Sequence, residues 1–254
     1  MFKIAFLFLT ITNVFHETYW RDFFSGHEQQ YSIHVHVKDD ISTDSWFKQF
    51  QIADKVENSW ARTMKAQIAL LKDALQDVDN QVFIFCSHNT IPLQSFDFIY
   101  DEVMTLKKSI FAYESNPHAD KSRSCYQSHR DIQPIPVEKQ YKNSQWIILT
   151  REHAQLMVDD PNIINIVSHY PHDQEHYPST FLSLHNRLNQ VHNCEKTLVV
   201  WDFCEQPPYT FKDLSIDMER TMLTEAIKYG LFFVRKVGVN CNLAPIDHLL
   251  KYRK

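Results

Sequence analysis

The chain has 254 residues, of which 44% are hydrophobic and 22% are charged, a composition typical of globular proteins and not of disordered ones. Lys and Arg total 26 against 31 Asp and Glu, and the resulting formal charge of −5 excludes a generally basic surface for nucleic acid. Only three glycines are present, which excludes both a G-x-G-x-x-G turn and a Walker loop, so any nucleotide must be held by side chains and helix ends.

The N-terminal segment resembles a signal peptide only superficially. An apolar run from Ile4 to Leu9 follows Lys3, but it is only about six residues long and lacks a cleavage site of small residues. No other stretch approaches the roughly 18 apolar residues of a membrane span. We therefore interpret the run as a buried strand and expect a soluble, cytoplasmic protein without a membrane span.

Strands and helices are predicted to alternate from end to end. Strands are expected at residues 3–9, 31–37, 82–86, 145–150, 197–203 and 231–236. Helices are expected at residues 20–24, 60–75, 96–104, 152–158, 179–187 and 216–229. This order predicts a single α/β domain over residues 1–254 with a largely parallel central sheet.

The densest group of chemically active side chains is the segment from His169 to Tyr177. His169, His172 and His176 could bind zinc only if the segment were helical, and Pro171 argues against a helix there. The same histidines could instead be solvated loop residues. A third interpretation makes Glu175 a general base, because a carboxylate near a helix N-terminus is favoured in its charged form.

Cations and polar side chains are predicted at the ends of strands. Arg235 and Lys236 follow an apolar run, and adjacent cations there suit a diphosphate, although a solvated surface pair would look the same. Thr10, His36 and Ser87 end or follow the first three major strands. Because ligands of open α/β sheets bind beyond the carboxyl ends of the strands, these three residues are expected to line one crevice.

Aromatic residues could supply surfaces for sugars. Trp146 and Trp201 lie on predicted strands, where core positions are the alternative. Tyr126 and Arg123 lie in a long polar segment, residues 116–140, and a loop of that length in a compact domain is usually functional. The five cysteines form no C-x-x-C pair, which argues against a thiolate zinc site.

Taken in order and spacing, several segments resemble the core-2/I-branching family of glycosyltransferases, particularly its compact plant and bacterial branch. The similarity runs over nearly the whole chain. It is carried by Lys3-Ile4-Ala5-Phe6-Leu7-Phe8-Leu9-Thr10, Trp20-Arg21-Asp22-Phe23-Phe24, Tyr31-Ser32-Ile33-His34-Val35-His36, Trp60, Ile91-Pro92-Leu93, Ser144-Gln145-Trp146, Glu175-His176-Tyr177, Pro208-Tyr209-Thr210-Phe211 and Arg235-Lys236.

The resemblance implies a GT-A-like fold, a UDP-sugar donor with N-acetylglucosamine foremost, and inverting transfer to a hydroxyl of a glycan acceptor without a metal or other cofactor. The family's catalytic base matches Glu175, and its diphosphate-binding Lys matches Lys236, with Arg235 beside it. Thr10, His36 and Ser87 would help to bind the donor. Trp146, Trp201, Tyr126 and Arg123 would orient the acceptor.

The chain also departs from the family pattern. Gln174 stands where Asp is usual, Ala61 stands where Gly is usual, and residues 206–209 lack the second diphosphate-binding Arg of vertebrate members. These departures keep a second hypothesis open, a carbohydrate-binding relative without catalysis. The histidines keep a third hypothesis open, a metal-dependent hydrolase.

Overall fold

The secondary structure alternates as the sequence predicts, and the computed structural model describes residues 1–59, 61–115, 132–201 and 208–245. The strands are β1 (Lys3–Thr10), β2 (Tyr31–Val37), β3 (Asn80–Ser87), β4 (Ile91–Pro92), β5 (Ser109–Ile110), β6 (Tyr113–Ser115), β7 (Tyr141–Asn143), β8 (Ile148–Thr150), β9 (Val191–His192), β10 (Thr197–Val199), β11 (Phe211–Asp213), β12 (Phe233–Arg235) and β13 (Val237–Asn242). The helices are α1 (Glu17–Phe24), α2 (Met64–Ala74), α3 (Phe96–Leu106), α4 (Arg151–Asp159), α5 (Asn162–Val167), α6 (Tyr177–Leu184) and α7 (Asp217–Lys228).

Six strands form the central sheet, in the order β2-β1-β3-β8-β5-β9. Strand β1 pairs in parallel with β2 and β3, and β5 pairs in parallel with β9, whereas β8 is antiparallel to both of its neighbours. The prediction of an α/β fold with a mostly parallel central sheet is therefore confirmed, and the arrangement is consistent with a GT-A-like fold.

Strand β1 is apolar throughout because both faces of the sheet are covered. Ile4, Phe6 and Phe8 pack on one face with residues of α1 and α3. Ala5 and Leu7 pack on the other face with residues of α2, α4 and α6. All five side chains are completely buried, so the run that resembles a signal peptide in the sequence is the centre of the core.

Several predicted boundaries are wrong. The helix expected from residue 60 begins at Met64, because Ala61 has a φ of 63° and so adopts the left-handed conformation that glycine favours. The strands expected at residues 145–150 and 197–203 are confined to β8 and β10 in the described residues. The six-residue helix α5 was not predicted, because it has fewer than two turns in which a helical period could be recognised.

A smaller sheet brings the second half of the chain to the edge where β3 ends. Its order is β10-β12-β4, and β4 follows β3 after a short turn. The N–H of Val237 donates to the carbonyl of Asn89 at 2.9 Å, which fixes the end of β12 against that turn. Arg235 and Lys236 are thus placed beside the carboxyl end of β3.

Across the described segments, no helix combines the length and the apolar character that crossing a membrane requires.

Candidate active site

One cavity of about 500 Å³ brings together four residues that the sequence analysis selected separately. Glu175, Arg235, Trp146 and Trp201 all line it. Glu175 and Arg235 are 60 positions apart in the chain, so only the fold makes them neighbours. The cavity therefore combines a carboxylate, a guanidinium group and two indole rings.

Glu175 ends a short 3-10 helix, Asp173–Glu175, whose position is fixed by backbone hydrogen bonds. The N–H of Glu175 donates to the carbonyl of His172 at 2.8 Å. The Oδ1 of Asp173 accepts from the backbone N–H groups of Thr63 (3.0 Å) and Met64 (3.2 Å) at the start of α2. The segment that carries Glu175 is thereby anchored to helix α2.

Asn143 anchors the same segment from the other side, and it also lines the cavity. Its Nδ2 donates to the carbonyl of Gln174 at 3.1 Å. Its Oδ1 accepts from the backbone N–H (3.1 Å) and the hydroxyl (2.7 Å) of Ser179 in α6. With its backbone held between α2, β7 and α6, Glu175 has little freedom to move relative to the cavity wall.

Two nitrogen-bearing side chains lie beside the Glu175 carboxylate, whose side chain is 21% exposed. Lys142 Nζ lies 3.9 Å from Oε2, and His172 Nδ1 lies 3.9 Å from Oε1. Glu175 in turn acts on Arg235, where it favours the charged guanidinium. A half-buried carboxylate that remains accessible from a cavity can accept a proton from a ligand hydroxyl.

Arg235 is held in place by two contacts. Its guanidinium carbon lies 4.4 Å from the ring centroid of Trp146, and its Nε donates to Ser87 Oγ at 3.3 Å. Burial lowers the pKa of Arg235 to about 10 and Glu175 opposes this shift, so the side chain remains charged at neutral pH. Arg235 is a fixed positive charge in the cavity wall.

Lys236 follows Arg235 but does not line the same cavity as Glu175. It is half-buried, its N–H donates to the carbonyl of Tyr209 (3.4 Å), and its carbonyl accepts from Phe211 (2.8 Å). Burial, together with the charges of Arg235 and Lys236, lowers the pKa of His88 to about 4. Both cations therefore act electrostatically on the turn that follows β3.

Thr10, His36 and Ser87 lie at the carboxyl ends of β1, β2 and β3, as predicted, but none of them lines the Glu175 cavity. All three are buried. The Thr10 hydroxyl donates to the carbonyl of Thr12 (2.7 Å), and His36 Nε2 accepts from the N–H of Val56 (3.1 Å). Of the three, only Ser87 contacts the cavity wall, through Arg235.

A second cavity of about 620 Å³ lies at the end of β2. Val56, whose backbone N–H donates to His36, lines this cavity. Four cationic side chains also line this cavity, together with three acidic ones. The cations are Lys38, Lys55, Arg62 and Lys65.

The aromatic residues occupy positions other than those predicted. Trp146 precedes β8 and Trp201 follows β10, so neither is a strand residue in the described structure. Trp146 is 6% exposed and Trp201 is 52% exposed, so Trp201 is not a core residue. The predicted residues Tyr126 and Arg123 lie outside the described residues.

Within the described segments, the histidines do not form a metal-binding cluster. His34 pairs with Asp73 at 2.6 Å, and His176 contacts the carbonyl of Tyr141 at 3.2 Å. Over residues 1–59, 61–115, 132–201 and 208–245, no group of three or more His, Cys, Asp or Glu side chains could hold a metal ion. The histidine-rich segment thus positions Glu175 and does not gather ligands within this part of the chain.

Three charged residues of the cavity, Glu114, Lys142 and Glu195, are not indicated by any sequence pattern. Lys142 lies in the short strand β7 and Glu195 lies just before β10, and both line the cavity. Neither belongs to a recognisable motif or a periodic pattern, because each is a single charged residue in a polar stretch. The sequence offers only an indirect indication of their role. Lys142 lies in β7, shortly before Trp146, and Glu195 lies two residues before β10, which is followed by Trp201.

A family model described as Core-2/I-Branching enzyme matches residues 4–225 of this chain. The chain belongs to the core-2/I-branching enzyme family. It is also similar to Glycosyltransferase BC10 of Oryza sativa subsp. japonica, with 31% identity over 171 residues. That match covers 64% of this chain and 42% of BC10, so the chain spans less than half the length of this relative.

Among solved structures, the chain is similar to one titled Crystal Structure of A197 from STIV, with 11% identity and a TM-score of 0.28. That similarity covers 60% of this chain and 67% of the other. The family resemblance predicted from the sequence is confirmed by the family match.

Proposed function

We propose that this core-2/I-branching family member transfers a sugar from a UDP-sugar to a hydroxyl group of a glycan acceptor, inverts the anomeric carbon and needs no metal ion. One observation carries this proposal: Glu175 and Arg235 line the same cavity, and Lys236 follows Arg235 directly. A proton acceptor and a fixed positive charge are the two elements that such a transfer requires.

Glu175 is the general base in this mechanism. Its carboxylate accepts the proton of an acceptor hydroxyl while the hydroxyl oxygen attacks the anomeric carbon from the face opposite UDP. A single displacement inverts that carbon and uses no enzyme nucleophile, so one carboxylate is sufficient. Lys142 places an ammonium group 3.9 Å from the Glu175 carboxylate.

Lys236 and Arg235 stabilise the leaving group. As the glycosidic bond breaks, negative charge grows on the diphosphate of UDP, and positive groups that are already in position stabilise it. The guanidinium of Arg235 is held by Trp146 and Ser87 and can donate several N–H groups to phosphate oxygens. These two cations take the place of the charge that a divalent ion would supply.

The nucleotide is placed at the carboxyl ends of β1, β2 and β3. Ligands of open α/β sheets bind at this edge, and Thr10, His36 and Ser87 end these strands. The second cavity adjoins the end of β2, and its four cationic side chains outnumber its three acidic ones. His36 shapes the cavity wall through its hydrogen bond to Val56.

The acceptor sugar is placed in the Glu175 cavity. Indole rings pack well against the C–H faces of sugars, and Trp146 and Trp201 both line this space. With half of its surface exposed, Trp201 is available to a ligand that enters from solvent. N-acetylglucosamine is the donor sugar favoured by the sequence resemblance, and glucuronic acid and xylose are the alternatives.

The decisive experiment replaces Glu175 by Gln, which keeps the shape of the side chain and removes the base. Transfer from UDP-sugars, followed by mass spectrometry of the products, should be abolished in Glu175→Gln, while UDP binding in a thermal-shift assay is retained. The matched control is Glu138→Gln, a change at an exposed carboxyl that does not line the cavity. Equal activity of the wild type and Glu175→Gln would refute the base assignment.

Metal independence and catalysis itself are tested on the wild-type chain. Transfer from UDP-N-acetylglucosamine, UDP-glucuronic acid or UDP-xylose should proceed at the same rate with and without EDTA. A rate that EDTA abolishes and Mg²⁺ or Mn²⁺ restores would refute the metal-independent mechanism. Binding of UDP-sugars with neither transfer nor hydrolysis would instead identify a carbohydrate-binding relative without catalysis.

A further inference from the structure

Two carboxyl groups besides that of Glu175 line the same cavity, those of Glu114 and Glu195. Glu195 precedes strand β10, and its Oε1 accepts a hydrogen bond from the Ser144 hydroxyl at 3.0 Å. The residue is exposed, although the cavity walls surround it. Its carboxyl is therefore fixed on one side and accessible to a ligand on the other.

The surroundings of Glu195 shift its pKa in two opposite directions. Burial in the cavity wall raises the pKa of this carboxyl to about 7, and the hydrogen bonds of Ser144, Thr197 and Lys196 oppose the shift. Near neutral pH the group is present both as a carboxylate and as a carboxylic acid. Either form makes a hydrogen bond to a hydroxyl, since the first accepts and the second also donates.

Glu195 differs from a carboxylate that stabilises the fold. Glu219 is 1% exposed and accepts hydrogen bonds from the Tyr209 hydroxyl and from the backbone N–H groups of Lys212 and Asp213. Glu195 accepts from the Ser144 hydroxyl and has backbone hydrogen bonds with Thr197 and Lys196, but its residue is exposed at the cavity and it forms no salt bridge within the described segments. Accepting capacity therefore remains for a ligand.

Ser144 connects this carboxyl to the aromatic wall. Its hydroxyl donates to Glu195 and accepts from the backbone N–H of Trp146 at 3.4 Å. Its own N–H donates to the carbonyl of Ala112 at 2.8 Å, which fixes the turn between β7 and β8. A carboxyl group and an indole ring of the cavity wall are thus held in one arrangement.

We propose that the Glu195 carboxyl, oriented by Ser144, hydrogen-bonds a hydroxyl group of the acceptor sugar and thereby selects which other hydroxyl of that sugar reaches Glu175. This inference rests on the proposed glycosyl transfer. A sugar offers several hydroxyl groups of similar reactivity, so a single base cannot select one of them. A second fixed contact in the same cavity restricts the orientation of the sugar, so that one hydroxyl group is presented to Glu175.

The test compares Glu195→Ala with Glu195→Gln, because the amide keeps an accepting oxygen. The donor is the UDP-sugar that the wild type uses, and the acceptors are methyl β-D-galactopyranoside, methyl β-D-xylopyranoside and methyl α-D-mannopyranoside. Glu195→Ala should raise the acceptor KM by about tenfold, the effect of one hydrogen bond, and change the donor KM by less than about twofold. Its products should also show more than one linkage by NMR.

Two further variants separate a binding role from a structural one. Glu195→Gln should recover most of the acceptor KM, and Ser144→Ala should raise it by a smaller factor than Glu195→Ala. Glu152→Gln, at an exposed carboxyl that does not line the cavity, is the matched control and should resemble the wild type. Donor and acceptor KM values that rise together in Glu195→Ala, with unchanged linkage, would overturn the proposal.

The experiment also distinguishes failure of this inference from failure of the proposed function. If the wild type transfers no sugar and binds no UDP, the glycosyltransferase proposal fails. Binding of the same three glycosides, measured by ligand-observed NMR, then still tests Glu195. Weaker binding by Glu195→Ala than by the wild type supports the inference, whereas equal binding, or no binding by the wild type, overturns it.

Discussion

The guanidinium group of Arg235 lies over the indole ring of Trp146, with 4.4 Å between the guanidinium carbon and the ring centroid. Arg235 also donates from Nε to Ser87 Oγ at 3.3 Å, so one side chain connects the end of β3 to the aromatic wall of the cavity. A lysine could not replace it, because an ammonium group has neither a plane to stack nor a fork of donors.

This contact predicts measurable coupling between the two residues. In a double-mutant cycle with Arg235→Lys and Trp146→Leu, the coupling in the free energy of unfolding should be about 0.5–2 kcal/mol, the range for a cation above an aromatic ring. Urea denaturation of the four proteins measures it. The control cycle combines Trp146→Leu with Arg187→Lys, whose partner is Glu152. Additive effects in both cycles would contradict the prediction.

Lys236 should contribute to the rate of transfer. Under the proposed mechanism, Lys236→Ala removes one positive charge from the leaving group and should cost about 2–4 kcal/mol of transition-state stabilisation. The turnover number with a saturating UDP-sugar measures this loss. Lys228→Ala, at a well-exposed lysine of α7, is the control. A turnover number unchanged by Lys236→Ala would remove this residue from the mechanism.

His88 should make the fold less stable as the pH falls. Burial, followed by the charges of Arg235 and Lys236, lowers its pKa to about 4 in the folded chain from 6.5 in the unfolded chain. The unfolded chain therefore binds more protons in this range, and stability decreases as the pH falls from 6.5 towards 4. At pH 5 the lowered pKa of His88 reduces the free energy of unfolding by roughly 1–2 kcal/mol.

The variant His88→Gln removes this titration. Its free energy of unfolding should fall less between pH 7 and pH 5 than that of the wild type, as measured by urea denaturation at each pH. His192→Gln, at an exposed histidine, should follow the wild type. The assignment would be wrong if His88→Gln and the wild type lost the same stability over this interval.

Asp173 should contribute to stability through its hydrogen bonds and not through its charge. It accepts from the N–H groups of Thr63 and Met64, while burial raises its pKa to about 6. Because the pKa is higher in the folded chain, Asp173 adds to the free energy of unfolding as the pH falls through 6. This added stability is lost above pH 6. Asp173→Ala removes the acceptor and should lower the free energy of unfolding by about 0.5–2 kcal/mol.

Asp173→Asn is the matched variant, because it keeps the accepting oxygen and removes the charge. At pH 8 it should be at least as stable as the wild type, because it removes the buried charge whose cost raises the pKa of Asp173, and this advantage should shrink at pH 5. Urea denaturation at both pH values measures the difference. Asp173→Asn as unstable as Asp173→Ala at pH 8 would show that the charge itself stabilises the start of α2.

Local patterns identified most of the secondary structure. The alternation of Ile33 and Val35 with His34 and His36 predicted β2, whose bounds agree with the structure, because side-chain direction alternates along a strand. Helix α2 was predicted from its apolar spacing, yet its start was placed too early. The backbone conformation of Ala61 stops the helix there, and apolar spacing contains no information about that conformation.

The candidate site was recognised in part. Glu175 and Arg235 came from short motifs and lie in one cavity. Lys142 and Glu195 were not identified, because a single charged residue in a polar stretch looks the same in sequence whether it faces solvent or a ligand. Trp201 was assigned to a strand, although it follows β10 and is mostly outside the core.

The sequence by itself determined the alternation of strands and helices, the family and the residues that carry the short motifs. These properties depend on neighbouring residues, whose spacing fixes which side chains share a face. Only the tertiary structure decided that Glu175, Arg235, Lys142 and Glu195 share one cavity, since they come from four separate segments. These side chains lie together because of the strand order and of long-range hydrogen bonds such as those of Asn143. A local sequence pattern contains information on neither.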